Sequence, residues 1–271
     1  MKQLDVLPVG QVILGDNCEV MRGMPSESID LVVTSPPYDD LRKYGGDSWD
    51  FPGLADQITR TLKPGGVVVW VVADATIDGS ETLTSMRQAI HFKDVCGLNV
   101  WDTMIYQKKG GSPNTHHPRY IHCWEYMLVL CKGSPRAWTP SRMKVNTTAG
   151  ANVQPKRKTQ RNGEIKSFDV APTVTAERSL DVNVWDYLVG QAAGDKGTGG
   201  HPAYFPERLA KDHIQSWSNP GDIVLDPFAG SGTTLKAAKE LGRQWVGIEV
   251  NPEYVAICHD RTAQEALNLE V

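Results

Sequence analysis

The stretch Ile223-Val224-Leu225-Asp226-Pro227-Phe228-Ala229-Gly230-Ser231-Gly232-Thr233-Thr234 decides how this chain is read. Three apolar residues, two of them β-branched, form a short buried strand that closes on an acid. A glycine turn follows, then a helix over Leu235 to Leu241 and a strand over Trp245 to Val250. Gly230 and Gly232 let a ligand approach the backbone closely. Glu249 lies 19 residues beyond Gly230, where a carboxylate can accept from ribose hydroxyls. This is the layout of a nucleotide-binding βαβ unit, with a purely structural strand-to-helix turn as the plainer alternative.

The residues also bear on which nucleotide. A dinucleotide site places a third glycine where this chain has Leu235, and an acid such as Asp226 before the turn repels a pyrophosphate. Gly-Ser-Gly-Thr-Thr lacks the lysine of a phosphate-binding loop. Asp226 instead suits a ligand with a positive group, such as the amine and sulfonium of S-adenosylmethionine.

Outward from this unit, strands and helices alternate. Val12 to Leu14 reads as a strand, Cys18 to Met24 as a helix and Ile29 to Val33 as a buried strand. A helix with Leu54, Ile58 and Leu62 at helical spacing is expected to end at Lys63-Pro64-Gly65-Gly66. Val67 to Ala73 has the continuous apolar character of a central parallel strand. Helices over 85–92 and 205–217, strands over 101–107 and 123–130, and a last helix to about Glu265 complete the pattern. The expected fold is α/β, a doubly wound and mostly parallel sheet.

The strand at Ile29 runs into Thr34-Ser35-Pro36-Pro37-Tyr38. Two prolines stop ladder and helix alike and fix the backbone. A rigid turn with a hydroxyl before it and an aromatic ring after it can hold a flat polar group in one pose.

Net charge is −4, but it is unevenly spread. Between Ser134 and Lys166 stand Arg136, Arg142, Lys144, Lys156, Arg157, Lys158, Arg161 and Lys166 against the single acid Glu164. That segment carries +7, so the remainder carries −11. Such asymmetry marks a polyanion-facing segment, a solvated basic loop being the alternative. Five widely spaced cysteines without a Cys-x-x-Cys pair indicate reduced thiols in a cytoplasmic protein, with no metal site. No apolar run approaches the roughly 20 residues of a membrane span.

Together, Thr34-Ser35-Pro36-Pro37-Tyr38 and Asp226 to Thr234 resemble the motifs of the β-type amino-methylating DNA methyltransferases, catalytic motif first and cofactor motif last. Gly15-Asp16, Asp30, Lys63 to Gly66, Glu125 to Leu130, Asn183 to Asp186, and His201-Pro202-Ala203 with Pro206 match further family segments in order. The resemblance implies a circularly permuted Rossmann-like methyltransferase fold. Its catalytic half is 1–133, a target-recognition insertion 134–200 and the cofactor half 201–271. It implies S-adenosyl-L-methionine as methyl donor and double-stranded DNA as partner, with a homodimer and a cognate restriction endonuclease as candidate companions in a bacterial, archaeal or phage setting.

By the same resemblance, Ser35 Oγ and the Pro36 carbonyl accept the protons of an exocyclic base amine, Pro37 keeps the turn rigid and Tyr38 stacks on a flipped base. Asp16, Asp226, Phe228, Gly230, Gly232, Glu249 and His201 line the cofactor pocket, with Asp16 alternatively a helix cap. Arg142, Lys144, Lys156, Arg157, Lys158 and Arg161 meet DNA. Serine at 35 is the commoner pattern among cytosine-N4 members, with adenine N6 as the alternative. RNA or protein methylation, a non-catalytic DNA-binding module and a dinucleotide oxidoreductase fit these residues less well.

Overall fold

The alternation of strands and helices builds one sheet with helices on both faces. The computed structural model describes residues 6–37, 49–109, 120–153, 158–159, 165–166, 173–188 and 205–263. Two units are distinguished, Met1–Thr139 with Asn183–Val271, and Pro140–Val182. Residues 134–139 and 183–188, placed in the basic insertion from sequence, belong to the first unit.

The sheet of the first unit uses β1 (Gln11–Leu14), β2 (Ile29–Thr34), β3 (Leu62–Val72), β4 (Asn99–Lys109), β5 (Trp124–Cys131), β6 (Val184–Leu188), β7 (Ile223–Asp226) and β8 (Gln244–Glu249). Their spatial order is β1-β8-β7-β2-β3-β5-β4-β6. All run parallel except β5, which is antiparallel to both its neighbours. From β2 the chain winds outward to β3, and from β7 it winds the other way to β8. The β2–β7 junction is therefore the point where strand order reverses, the usual ligand crevice of such sheets.

Successive residues of the central strands serve opposite faces. Leu31, Val33, Val67, Val69 and Val71 pack in one core with Leu209, Ala210, Ile214 and Trp217 of α4 (Glu207–Trp217) and Leu235, Ala237 and Ala238 of α5 (Thr233–Glu240). Cys258 of α6 (Pro252–Ala263) joins this core. Val32, Val68, Trp70 and Val72 pack in a second core with α1 (Asn17–Arg22), α2 (Phe51–Thr61) and α3 (Thr84–Asp94). Each fully buried aliphatic side chain contributes roughly 1.5–3 kcal/mol, so the central strands hold both helical layers. No helix among the described residues is long and apolar enough to cross a membrane.

Three sequence expectations change. Lys63-Pro64-Gly65-Gly66 does not close α2 as a free turn. The helix stops at Thr61, and β3 already begins at Leu62. The four residues form an irregularity within the ladder, between the Ile29–Leu62 and Leu31–Val67 pairs. Gly65 has φ +76°, and a Cβ there would lie 2.9 Å from Arg136 Cβ and 3.0 Å from Ser134 O, which is why glycine is needed.

Val184–Leu188 is a strand at the sheet edge, with Trp185 and Tyr187 buried between exposed neighbours. Its two-residue period is masked by the polar chain around it. Arg136, counted in the basic run, is paired with acids of the sheet. Its guanidinium bonds to the buried Asp30 carboxylate and, at 2.8 Å, to Asp222. Asp30 also accepts from Lys63 Nζ and from Ile223 N (2.8 Å), tying the starts of β2 and β7 together.

In the second unit Met143–Val145 pairs antiparallel with Arg178–Leu180, Asn152–Val153 with Thr173–Val174, and Lys158–Thr159 with Ile165–Lys166. The pairs are three separate two-stranded ladders that nest in sequence, with Met143–Val145 and Arg178–Leu180 as the outer rung. The outer rung exposes Lys144 and Arg178.

Candidate active site

Four strand ends meet at the carboxyl edge of the sheet: Thr34 of β2, Asp226 of β7, Glu249 of β8 and Leu14 of β1. Thr34 Oγ1 donates to Asp226 Oδ1 at 2.6 Å, across the junction where strand order reverses. The same oxygen accepts from Phe228 N at 3.0 Å. Thr234, at the start of α5, donates to the Val33 carbonyl at 3.2 Å, and its hydroxyl also steadies the Asp226 carboxylate. Ser35, half-buried, and Pro36, buried, follow Thr34 directly, so the catalytic candidates hang from this bond.

Asp226 is 3% exposed. Its carboxyl is raised to about 6, because burial and, more weakly, the Glu249 charge outweigh the lowering by the Thr34 and Thr234 hydroxyls and the Phe228 N–H. A positive ligand group at this edge would favour the ionised form. The Cys258 thiol, beneath the turn, is pushed up to about 12 by burial and then by Asp226, so it stays protonated and offers no thiolate nucleophile.

The glycine turn is held from two sides. Glu249 Oε2 accepts from Gly230 N and Oε1 from Asn251 N, each at 2.8 Å. A carboxylate has about four acceptor positions, so capacity remains for two hydroxyls. Arg261 Nη1 reaches the turn from the other side, donating to Ser231 O at 2.7 Å and Ser231 Oγ at 2.9 Å. Gly230 and Gly232 adopt φ of 50° and 81°. A Cβ on Gly232 would lie 2.6 Å from Cys258 Sγ.

Leu235 does occupy the place of a third glycine, and the close approach has moved to the neighbouring strand. A Cβ on Gly247 would meet Leu235 Cδ1 at 2.3 Å. An isolated glycine inside a strand pattern was the signal available for this.

Asp16 caps α1, accepting from Glu19 N at 2.8 Å, and remains exposed beside the end of β8, where Gly15 N donates to Glu249 O at 3.0 Å. Phe228 is half-buried against an aromatic group unforeseen from sequence, 5.1 Å edge-on from Trp49 and 6.5 Å from Trp70. Tyr38, His201, Lys156, Arg157 and Arg161 lie outside the described residues, and Lys158 is described only in its backbone. Arg142 and Lys144 belong to the second unit.

Among the described residues one mixed cluster has metal-ligand character: Asp56, His91 and Cys96, with ligand atoms within 4.8 Å of one another. It sits on α2, α3 and the turn after α3, where Cys96 Sγ donates to Asp56 Oδ1 at 3.8 Å. Burial pushes this thiol up, so the cluster stands as a thiol–carboxylate hydrogen bond beside an imidazole.

The Asp226 environment gives a testable sign. The fold favours the neutral acid between its ordinary 3.8 and about 6, and that contribution is lost as pH rises through about 6. Asp226→Asn keeps the acceptor for Thr34 and removes the charge. Its melting temperature without ligand should exceed wild type by several degrees at pH 8, with the gap narrowing as pH falls below about 6 and closing toward 3.8. A gap that is constant across this range contradicts the assignment.

Comparison with known proteins follows the same geometry. The DNA methylase family model matches residues 29–260. The orphan methyltransferase M.BamHII of Bacillus amyloliquefaciens is 44% identical over 237 residues, covering 86% of this chain and 88% of that protein. The structure of PvuII DNA methyltransferase, cytosine-N4-specific, superposes with TM-score 0.66 at 22% identity, over 95% of this chain and 87% of the other. A DNA modification methylase of Thermus thermophilus, TTHA0409, solved with S-adenosyl-L-methionine, gives TM-score 0.59 at 25% identity, over 95% and 96%. With its family match spanning both turns and the strands between them, the chain belongs to the DNA methylase family.

Proposed function

We propose that the protein is an S-adenosylmethionine-dependent DNA methyltransferase that modifies an exocyclic base amine, cytosine N4 ahead of adenine N6. The observation that carries this reading is the Thr34–Asp226 bond, which sets the Ser35-Pro36 turn beside the glycine turn in a member of the DNA methylase family.

The donor set fits S-adenosylmethionine. Glu249 has acceptor capacity for ribose hydroxyls, the positive-φ glycines leave the backbone open, and Asp226 supplies negative charge at the turn. When bound, the cofactor supplies an electrophilic methyl on a positively charged sulfur. An exocyclic amine is a poor nucleophile because its lone pair is delocalised into the ring. Ser35 Oγ and the Pro36 carbonyl would accept hydrogen bonds from its two N–H groups and move the nitrogen toward tetrahedral geometry, and the one proton that the nitrogen gives up on methylation would pass to solvent. Those acceptors gain as positive charge develops on nitrogen. Pro36 and Pro37 keep them preorganised, so orientation supplies much of the acceleration. Tyr38 stacks on the base swung out of the duplex.

The domain reading assigns target recognition to the basic chain around Pro140–Val182. A two-stranded ribbon fits the major groove, and Lys and Arg along it meet phosphates. The outer strand pair adds Arg178 to the sequence candidates, opposite Val145 and next to the rung of Lys144. A partner nuclease is no requirement of this reading, since the relative M.BamHII is named an orphan methyltransferase.

Incubation with duplex DNA and methyl-labelled cofactor, followed by digestion to nucleosides, should yield N4-methyldeoxycytidine. N6-methyldeoxyadenosine would overturn the base choice, and label found only on RNA or protein would sink the function. For this strand pair, Lys144→Ala with Arg178→Ala should make the slope of log binding constant against log salt shallower by about 2 units. An unchanged slope removes these residues from the phosphate contacts.

A further inference from the structure

The last described helix begins three residues after Glu249, and its final turn reaches back to the glycine turn that Glu249 holds. From its final part Arg261 sends one nitrogen back to three acceptors: Ser231 O at 2.7 Å, Ser231 Oγ at 2.9 Å and Thr233 Oγ1 at 3.3 Å. The residue is 6% exposed, and no carboxylate pairs with it among the described residues. A buried cation with no carboxylate partner among the described residues is costly, and hydrogen bonds to a carbonyl and two hydroxyls offset only part of that cost. Packing alone gives no reason to hold a guanidinium there.

The location supplies one. The turn has two left-handed glycines and leads into α5, whose start has no side-chain cap. Such a backbone needs external partners to stay in one conformation. It has them at both ends of α6, through Glu249 on Gly230 N and through Arg261 on Ser231 and Thr233. Around the Cys258 thiol, Asp226 and Glu249 contribute negative charge and Arg261 positive charge.

We propose that Arg261 is a positioning residue for the cofactor: it fixes the Ser231–Thr233 segment of the glycine turn in the conformation that binds S-adenosylmethionine. The inference rests on the cofactor reading above.

A second bond between the same helices gives a built-in comparison. Lys239 Nζ of α5 donates to Thr262 O of α6 at 2.6 Å without touching the turn. Equilibrium binding of S-adenosylmethionine to the full chain is measured for wild type, Arg261→Gln, Arg261→Lys and Lys239→Ala, with melting temperature and turnover at saturating cofactor alongside. Arg261→Gln should weaken binding about tenfold or more, as loss of charge-assisted hydrogen bonds implies, while saturated turnover stays within about twofold. Arg261→Lys should recover part of the affinity. Lys239→Ala should lower the melting temperature and leave affinity at the wild-type value.

Wild-type affinity in folded Arg261→Gln overturns the proposal. So does equal affinity loss in Lys239→Ala, which would make the effect one of stability alone. If Arg261→Gln does not fold, Arg261→Lys decides: unchanged affinity there overturns the proposal. A wild type that binds no S-adenosylmethionine overturns the cofactor reading itself, a different result from variants that bind as wild type does.

Discussion

A buried hydrogen bond ties the ends of the two strands that carry the paired turns. Thr34 Oγ1 and Asp226 Oδ1 lie 2.6 Å apart, from residues 192 positions apart in the chain. The bond is buried, in a medium where hydrogen bonds are strong and unmet polar groups expensive. It crosses the β2–β7 junction, so the two turns that diverge from the sheet at that point are fixed relative to each other. Without it a buried carboxylate would lose one of its few partners, and the Ser35-Pro36 turn would lose its reference to the glycine turn. The two cores on either face of β2 and β3 set the strands rigidly enough for a bond of this length to persist.

The turn around Asp226 is in tension with stability. Burial and the nearby Glu249 charge both work against ionisation of Asp226, while two hydroxyls and one N–H support it. A site that keeps a reluctant carboxylate for a positively charged ligand gives up some stability of the empty state. Arg261, on the far side of the turn, and Glu249 each restrain its backbone by hydrogen bonds.

Much of this was legible because local chemistry demanded it. The 223–249 unit declares itself through apolar strands, paired glycines and acids at both strand ends. The Ser35-Pro36-Pro37 turn declares itself because two prolines permit little else. What escaped depends on distant partners. Lys63 to Gly66 reads as a helix stop, yet it lies in β3 because Gly65 must pass close to Arg136 and Ser134. Arg136 reads as a free cation, yet Asp30 and Asp222 hold it. Val184–Leu188 is short, at an edge, and flanked by polar chain, so its alternation carried little weight. Arg261 and Gly247 act only through residues far away in sequence, Ser231 and Leu235, and no pattern along the chain reveals such pairs.

The account stands or falls on whether the two turns act as one unit. A double-mutant cycle over Thr34→Val and Asp226→Ala, each of which removes one partner of the bond, read in kcat/KM for methyl transfer to duplex DNA, measures that coupling directly. The bond predicts strongly non-additive losses, with the double variant little worse than the poorer single one and a coupling energy of about 1 kcal/mol or more. Losses that simply add would mean that the two residues act independently and that the bond does not join the turns.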